Sequence, residues 1–237
     1  MSIEQEVWNT ISRKDYLSTI DVLKSDEEGT FQVDTFLNPT TKKSVTLEAA
    51  DGGCLELIKY LIDQRNVDPN QKHQKNGVTS LHLAARGKHT SIVEYLLTQS
   101  SIDVNAQDRD EYTALHYAAL NGAKDIVQLL IARHDTKVDI VDYQQRTPLM
   151  RAVEQCFTDV AHELIVKAKA KVNIQNNHGW TALHYASYNQ RKIICEMLLK
   201  HGAVSTIKDR EGHQALYWGY GHWFNEDNPY ACACPHH

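Results

Sequence analysis

The chain has 237 residues, of which 42% are hydrophobic and 23% charged, and its formal net charge is −5. This composition is ordinary for a globular protein, and the negative charge disfavours a general grip on nucleic-acid phosphates. No apolar stretch approaches the roughly 20 residues that a membrane-spanning helix needs, and the start, MSIEQEVWNT, is acidic where a secretory signal carries positive charge.

The N-terminal stretch VWNTISRKDYLSTIDVL has the rhythm of a helix pair. It places Ile11, Leu17, Ile20 and Leu23 at helical spacing, and polar residues occupy the outer positions. A unit of this kind is typical of the end of a repeat stack. The following KSDEEGTFQVDTFLNPTTKK is long and acidic at its start. We therefore assign residues 1–43 to a degenerate N-terminal capping repeat and an extended loop.

A repeat of 34 residues occupies the middle of the chain. Its marker is a threonine, at Thr79, Thr113, Thr147 and Thr181. The stretches that follow are TSLHLAARGKHTSIVEYLL, TALHYAALNGAKDIVQLL, TPLMRAVEQCFTDVAHELI and TALHYASYNQRKIICEMLL. SVTLEAADGGCLELIKYLI from Ser44 is a degenerate copy, and QALYWGYG from Gln214 begins another.

Each copy predicts two helices. Thr147 followed by Pro148 is an N-cap hydroxyl with proline at the first helical position. Ala118 and Ala119 make a first helix that a neighbour can approach closely, and the second helix is apolar on one face. A single pair has more apolar surface than it can bury, so the pairs must stack on one another.

The pattern Thr-Pro-Leu-His-x-Ala is nearly intact, whereas the Trp and Gly-Tyr signature of tetratricopeptide repeats is absent. From Ser44 to about Trp218 the chain resembles the ankyrin repeat family. The resemblance implies an all-α solenoid of stacked helix pairs with short β-hairpin fingers. Five repeats would fill residues 44–213, starting near 44, 79, 113, 147 and 181. Residues 214–237 would form a truncated C-terminal capping repeat, covered by Trp223 and Phe224, and a Cys/His tail.

Three repeats lack the glycine that Gly53 and Gly122 provide after the first helix. Lys88, Cys156 and Gln190 stand in its place. A left-handed conformation there costs a non-glycine residue on the order of 1 kcal/mol.

The recurring Thr-x-x-His pair looks at first like a catalytic pair. His82, His116 and His184 each follow a threonine by three residues, in three separate repeats. An enzyme needs one such pair, and no carboxylate accompanies these as an orienting third group. We therefore expect partly buried imidazoles that are bonded to the threonine hydroxyl or nearby backbone and order the hairpin of the adjoining repeat, and we expect no catalytic site or cofactor.

The five cysteines are an odd number, which favours reduced thiols over a disulfide framework. We therefore expect the protein in the cytoplasm or nucleus, either of the cell that makes it or of a host cell into which it is delivered. Cys195 is placed at the outward helical position matched by Gln128, and Cys156 in a turn. The tail YACACPHH offers Cys232, Cys234, His236 and His237 as weak metal ligands, because its cysteines are one residue apart rather than two to four.

The resemblance to the ankyrin repeat family implies that the hairpin tips and the exposed faces of the first helices line a concave groove, which binds partners. The tip residues just before the aligned threonine position, which Gln214 occupies in the last copy, are Val78, Tyr112, Arg146, Trp180 and His213. Further tip residues are Lys75, Arg109, Tyr143, His178 and Arg210. The expected exposed helix positions are Leu83, Tyr117, Arg151, Tyr185 and Trp218. The predicted partner-binding residues are Tyr112, Tyr117, Tyr143, Arg146, Arg151, His178, Trp180, Tyr185, Arg210, His213 and Trp218.

Tyr, Trp and Arg are the residues that dominate binding hot spots. We hypothesise an aromatic–arginine stripe, partly held by cation–π contacts, that binds a protein segment with apolar and acidic side chains. The free protein would be a monomeric adaptor, inhibitor or targeting protein, including an effector that a bacterium delivers into a host. A metal protein or enzyme using the tail, and a nucleic-acid binder, are the alternatives. The resemblance also makes Asn105 and Asn173 candidates for hydroxylation.

Overall fold

The computed structural model describes residues 2–26, 31, 33 and 36–219. Contacts group the chain into two units, Met1–Asp110 and Glu111–His237. No helix within the described residues has the length and apolar character to cross a membrane.

The described part of the first unit contains six α-helices. They are α1 (Ile3–Ser12), α2 (Tyr16–Lys24), α3 (Val45–Gly52), α4 (Leu55–Lys59), α5 (Ser80–Arg86) and α6 (Thr90–Thr98), and α4 continues as a π-helical turn, Tyr60–Gln64. Helices α3 and α5 pack together, as do α4 and α6, so first helices stack on first helices and second on second.

The second unit continues the pattern with α7 (Ala114–Leu120), α8 (Lys124–Ala132), α9 (Pro148–Glu154), α10 (Thr158–His162), α11 (Ala182–Tyr188), α12 (Lys192–Lys200) and α13 (Ala215–Trp218). Helix α10 continues as a π-helical turn, Glu163–Lys167. The first helices α7, α9, α11 and α13 form one row, each packed on the next. Helices α8, α10 and α12 form the second row, which confirms the all-α solenoid class.

The Thr–His pairs are structural, as the repetition predicts. The Nδ1 of His116 accepts the backbone N–H of Thr113 at 3.1 Å, and the ring has no solvent exposure. The neutral ring therefore carries its proton on Nε2, which donates to the carbonyl of Arg146, in the next finger, at 3.0 Å. His184 makes the same contacts with Thr181 and the carbonyl of His213. Each imidazole fastens the start of its helix to the following finger.

The turns after the first helices adopt the left-handed conformation that the glycine pattern predicts. Lys88, Cys156 and Gln190 have φ values of 59°, 62° and 55°, as Gly53 and Gly122 have 79° and 67°. Glycine at position 122 also has a packing reason. A Cβ there would lie 2.6 Å from the ring of Phe157.

The expected β-hairpin fingers are tight turns rather than paired strands. Within the described residues, strand pairing is limited to two isolated bridges, Leu37 with Ser44 and Lys208 with Gln214. The fingers of the second unit, residues 142–146, 176–180 and 209–213, are instead closed by two backbone hydrogen bonds each, for example from Asp142 N to Arg146 O at 2.9 Å and from Gln145 N to Asp142 O at 2.7 Å. The side chain at the first finger position also accepts two backbone N–H groups of the same finger, as Asp142 does from Gln144 and Arg146.

Three expectations about side chains were wrong or fall outside the described residues. Leu17 is 63% exposed and not part of the core. Cys195 is fully buried, and its neighbour Ile193 is 65% exposed, because Cys195 aligns with the inward Val127 rather than with Gln128. The expected cover by Trp223 and Phe224 lies outside the described residues.

Candidate functional site

The second unit repeats one contact between each finger and the helix that follows it. The first finger residue is bonded to a side chain nine positions later, on the first helix of the repeat. Asp142 accepts from Arg151, and Asp209 accepts from the indole Nε1 of Trp218 at 2.8 Å. In the repeat between them, Asn176 donates to the hydroxyl of Tyr185 at 2.8 Å. We call this contact the finger clamp.

The clamp of Asp142 is an ion-pair network. The carboxylate has no exposure, and its Oδ1 accepts the backbone N–H groups of Gln144 and Arg146, both at 2.9 Å. Its Oδ2 lies 2.7 Å from Nη2 of Arg151 and 3.3 Å from Nε of Arg146. Glu154 completes the network, with one oxygen 3.3 Å from Arg146 and the other 3.1 Å from Arg151. Both guanidinium groups are therefore neutralised within the protein.

Arg151 is buried, which contradicts its expected position on the exposed face of the helix. Its guanidinium lies 4.8 Å from the ring centroid of Tyr112, which is close enough for a cation–π contact. Burial lowers the pKa of Arg151, although the Glu154 carboxylate acts in the opposite direction. A cation–π contact therefore occurs at this pair, between the buried Arg151 and Tyr112 of the preceding repeat, and the stripe as a whole stays a hypothesis.

Tyr185 is also buried, again contrary to the expected exposure. Burial raises the pKa of its hydroxyl, and the nearby Glu154 carboxylate adds to the effect. Its ring packs edge-on against Trp180, with centroids 5.0 Å apart. The buried Tyr185 thus packs against Trp180 and helps to fix the position of its ring.

Trp180 and three neighbouring rings form a continuous patch that includes exposed area. Trp180 contacts Trp218 and Tyr188 with centroid separations of 5.0 and 5.6 Å, and Tyr217 lies 5.4 Å from Trp218. Tyr188 is 56% exposed and Tyr217 is 53% exposed. We call Trp180, Tyr188, Tyr217 and Trp218 the aromatic surface. His213 stacks on Tyr217 at 3.7 Å, nearly parallel to it.

A pocket of about 250 Å³ opens beside the aromatic surface, between the last two fingers. Its walls are the rings of Trp180, Tyr185 and Trp218, and its other lining residues are His178, Asp209, Arg210 and Glu211. We call it the end pocket. The two fingers are held together by a backbone hydrogen bond from Arg210 N to His178 O at 3.0 Å.

The family model "Ankyrin repeats (3 copies)" matches the chain in overlapping segments, residues 14–108, 46–142, 101–176 and 134–209. The chain belongs to the ankyrin repeat family. Among solved structures, the ankyrin repeat domain of Bcl-3, described as a unique member of the IkappaB protein family, superimposes with a TM-score of 0.76. The match has 23% sequence identity and covers 89% of this chain and 91% of that chain. A comparison with curated protein sequences finds no significant match.

The predicted partner-binding residues of this ankyrin repeat protein fall into three groups. Those with exposed side chains are Tyr143, His178 and Arg210. Those of intermediate burial are Tyr112, Tyr117, Arg146, Trp180, His213 and Trp218. The buried ones are Arg151 and Tyr185, and the related positions Val78 and Leu83 are buried as well.

The sequence interpretation missed two kinds of residue. Tyr188 and Tyr217, the most exposed rings of the aromatic surface, were not selected because neither lies at the aligned tip or helix positions. The clamp residues Asp142, Asn176 and Asp209 were missed too, although their spacing of nine residues from the helix partner is visible in the sequence.

The described residues provide no evidence for a metal centre or for a modified asparagine at this site. Within the described residues, no group of three His, Cys, Asp or Glu side chains could hold a metal ion. The weak candidates Cys232, Cys234, His236 and His237 lie outside those residues. Asn173 links two turns through Gly202 O and Val204 N, and its hydroxylation, like that of Asn105, stays a prediction.

Proposed function

We propose that this ankyrin repeat protein is a non-catalytic module that binds a protein partner on the aromatic surface of its second unit. One observation carries the proposal: ring contacts connect Trp180, Tyr188, Tyr217 and Trp218 in one series, and two of the four residues are more than half exposed. Tyrosine and tryptophan offer large contact area at low entropic cost, and exposed clusters of them are typical of interfaces.

The structure changes the kind of partner that the sequence suggested. The expected partner was a segment with apolar and acidic side chains, and its acidic side chains would need free arginines such as Arg146 and Arg151. Both guanidinium groups are already bonded to Asp142 and Glu154, so they offer little net charge to a ligand. The proposed partner therefore binds mainly through contacts with these rings. In this proposal the ankyrin repeat protein acts as an adaptor, inhibitor or targeting subunit for that partner. The cytoplasmic location and monomeric free state expected from the sequence belong to the same proposal.

The test is affinity purification from the native cell with a double variant, Tyr188→Ala with Tyr217→Ala. Both side chains are exposed, so the fold should tolerate their loss within about 0.5 kcal/mol each. Loss of two hot-spot rings should weaken capture of the principal partner by at least about 30-fold.

The matched control is Ile193→Ala with Val204→Ala, which also removes two exposed apolar side chains from the second unit. Neither residue belongs to the aromatic surface, so the control should retain the partner. Equal capture by the double tyrosine variant and the wild-type protein would refute the proposal.

A further inference from the structure

The walls of the end pocket are three electron-rich rings that meet at an angle. Trp180 and Tyr185 are inclined by 71°, and Trp180 and Trp218 by 51°, with both centroid separations at 5.0 Å. Rings set in this way form a corner rather than a flat stack. Three aromatic side chains therefore line one small volume, and the negative face of an aromatic ring attracts an organic cation.

Two carboxylates lie at the same pocket. The Asp209 side chain is almost fully buried. Burial alone would raise its pKa, but hydrogen bonds from the His213 N–H and the Trp218 indole outweigh it, and the pKa is lowered. Asp209 therefore stays ionised at neutral pH. Glu211 is exposed at the rim, 3.5 Å from the Nδ1 of His213, a group that is positive only when its ring is protonated.

Among the described residues that line the pocket, Arg210 is the one arginine or lysine, against these two carboxylates. The formal balance of the pocket is therefore −1 with histidines neutral. The volume of about 250 Å³ lies below the roughly 300–1,000 Å³ typical of small-molecule sites. A single side chain is a better match for that size than a cofactor.

We infer that the end pocket binds an alkylammonium group, presented by a lysine side chain of the protein partner. The lysine stem packs against Trp180 and Trp218, and its ammonium group lies between the ring faces and the carboxylates of Asp209 and Glu211. This inference deepens the proposed function, on which it rests, by naming the side chain that the partner inserts. Burial of the stem and retention of charge at the rim suit lysine's amphipathic side chain.

A pair of small probes tests the charge directly. Choline and 3,3-dimethylbutan-1-ol have the same shape, and only choline carries a charge. We expect choline to shift the indole N–H resonances of Trp180 and Trp218 in a ¹H–¹⁵N NMR spectrum of the full chain, and the alcohol to shift them far less. A capped Gly-Lys-Gly peptide should act like choline, and its acetyl-lysine version should not.

Two variants of neighbouring residues should move the choline affinity in opposite directions. Glu211→Gln removes an attractive charge and should weaken binding about 1.5-fold to 5-fold, whereas Arg210→Gln removes a repulsive one and should strengthen it by a similar factor. Both side chains are exposed, so neither change should disturb the fold.

Three results would overturn the inference. Equal shifts by choline and the alcohol would mean a purely apolar pocket, and weaker binding in Arg210→Gln would mean an anionic occupant. Absence of any shift would mean that the pocket takes no such group. These experiments need no partner, so they can fail while capture still depends on Tyr188 and Tyr217, in which case the proposed function stands without the lysine.

Discussion

Arg151 donates two hydrogen bonds to one oxygen of Asp142, from Nε at 3.1 Å and from Nη2 at 2.7 Å. The carboxylate has no exposure, and the arginine beside it is nearly as buried. A buried charge is tolerated only when its partners remain in place. Arg151 is therefore part of the finger's structure. A variant that removes it should lower the stability of the protein, and any loss of binding in that variant could follow from the lower stability.

We predict that Arg151→Ala lowers the free energy of unfolding by about 3 kcal/mol, because it leaves Asp142 buried with Arg146 as its remaining ion-pair partner. Urea unfolding followed by circular dichroism measures the change. Arg210→Ala is the control, since its side chain is exposed and its loss should change stability by less than about 0.5 kcal/mol. Equal urea midpoints for the two variants would contradict the structural role of Arg151.

The sequence predicted the repeats and helix starts well but mispredicted exposure. The 34-residue period can be seen directly in the sequence. The Thr–His caps join residues three positions apart, whose geometry the helix fixes. The exposure of Arg151 and Tyr185 depends on a finger that begins nine residues earlier and turns back over the helix. Contacts of that kind require the fold, although the recurring Asp or Asn at the finger start was a usable signal.

We predict that the first unit loses stability between about pH 6.5 and pH 4 because of His82. Burial is the main cause that lowers the pKa of His82 to about 4; the Lys72 charge adds to it, and Asp108 and Asp103 oppose it. In this range the unfolded chain binds a proton that the folded chain does not, so stability falls as pH falls. The full loss would be about 3 kcal/mol by pH 4. Urea midpoints measured across this pH range test it.

The control for this pH dependence is His82→Gln. A glutamine at the third helical position can accept the Thr79 N–H as the imidazole does, without titrating. The variant should show a shallower loss of stability over the same range. An unchanged slope would assign the effect to other groups.

We predict that Gly179→Ala destabilises the second unit more than Gly212→Ala does. Both residues have positive φ, at 78° and 84°, so each alanine carries a conformational cost on the order of 1 kcal/mol. A Cβ at position 179 would also lie 2.8 Å from Arg210 N and Asp209 Cα, whereas nothing lies within 4 Å of one at position 212. The difference between the two urea midpoints measures the cost of the steric clash between a Cβ at position 179 and the neighbouring finger. Equal midpoints would mean that the fingers separate at little cost.

The burial of Cys195 gives a prediction about thiol reactivity. In a Cys232→Ser, Cys234→Ser background, the remaining thiols are Cys54, Cys156 and Cys195. Cys54 and Cys156 are partly accessible, and burial raises the pKa of Cys54, so it should react more slowly than an unhindered thiol. Cys195 has no exposure in the helix row and should react with a thiol reagent only when the protein unfolds. Two reactive thiols in buffer and three in denaturant are expected; three in buffer would mean that α12 opens readily or that Cys195 faces solvent after all.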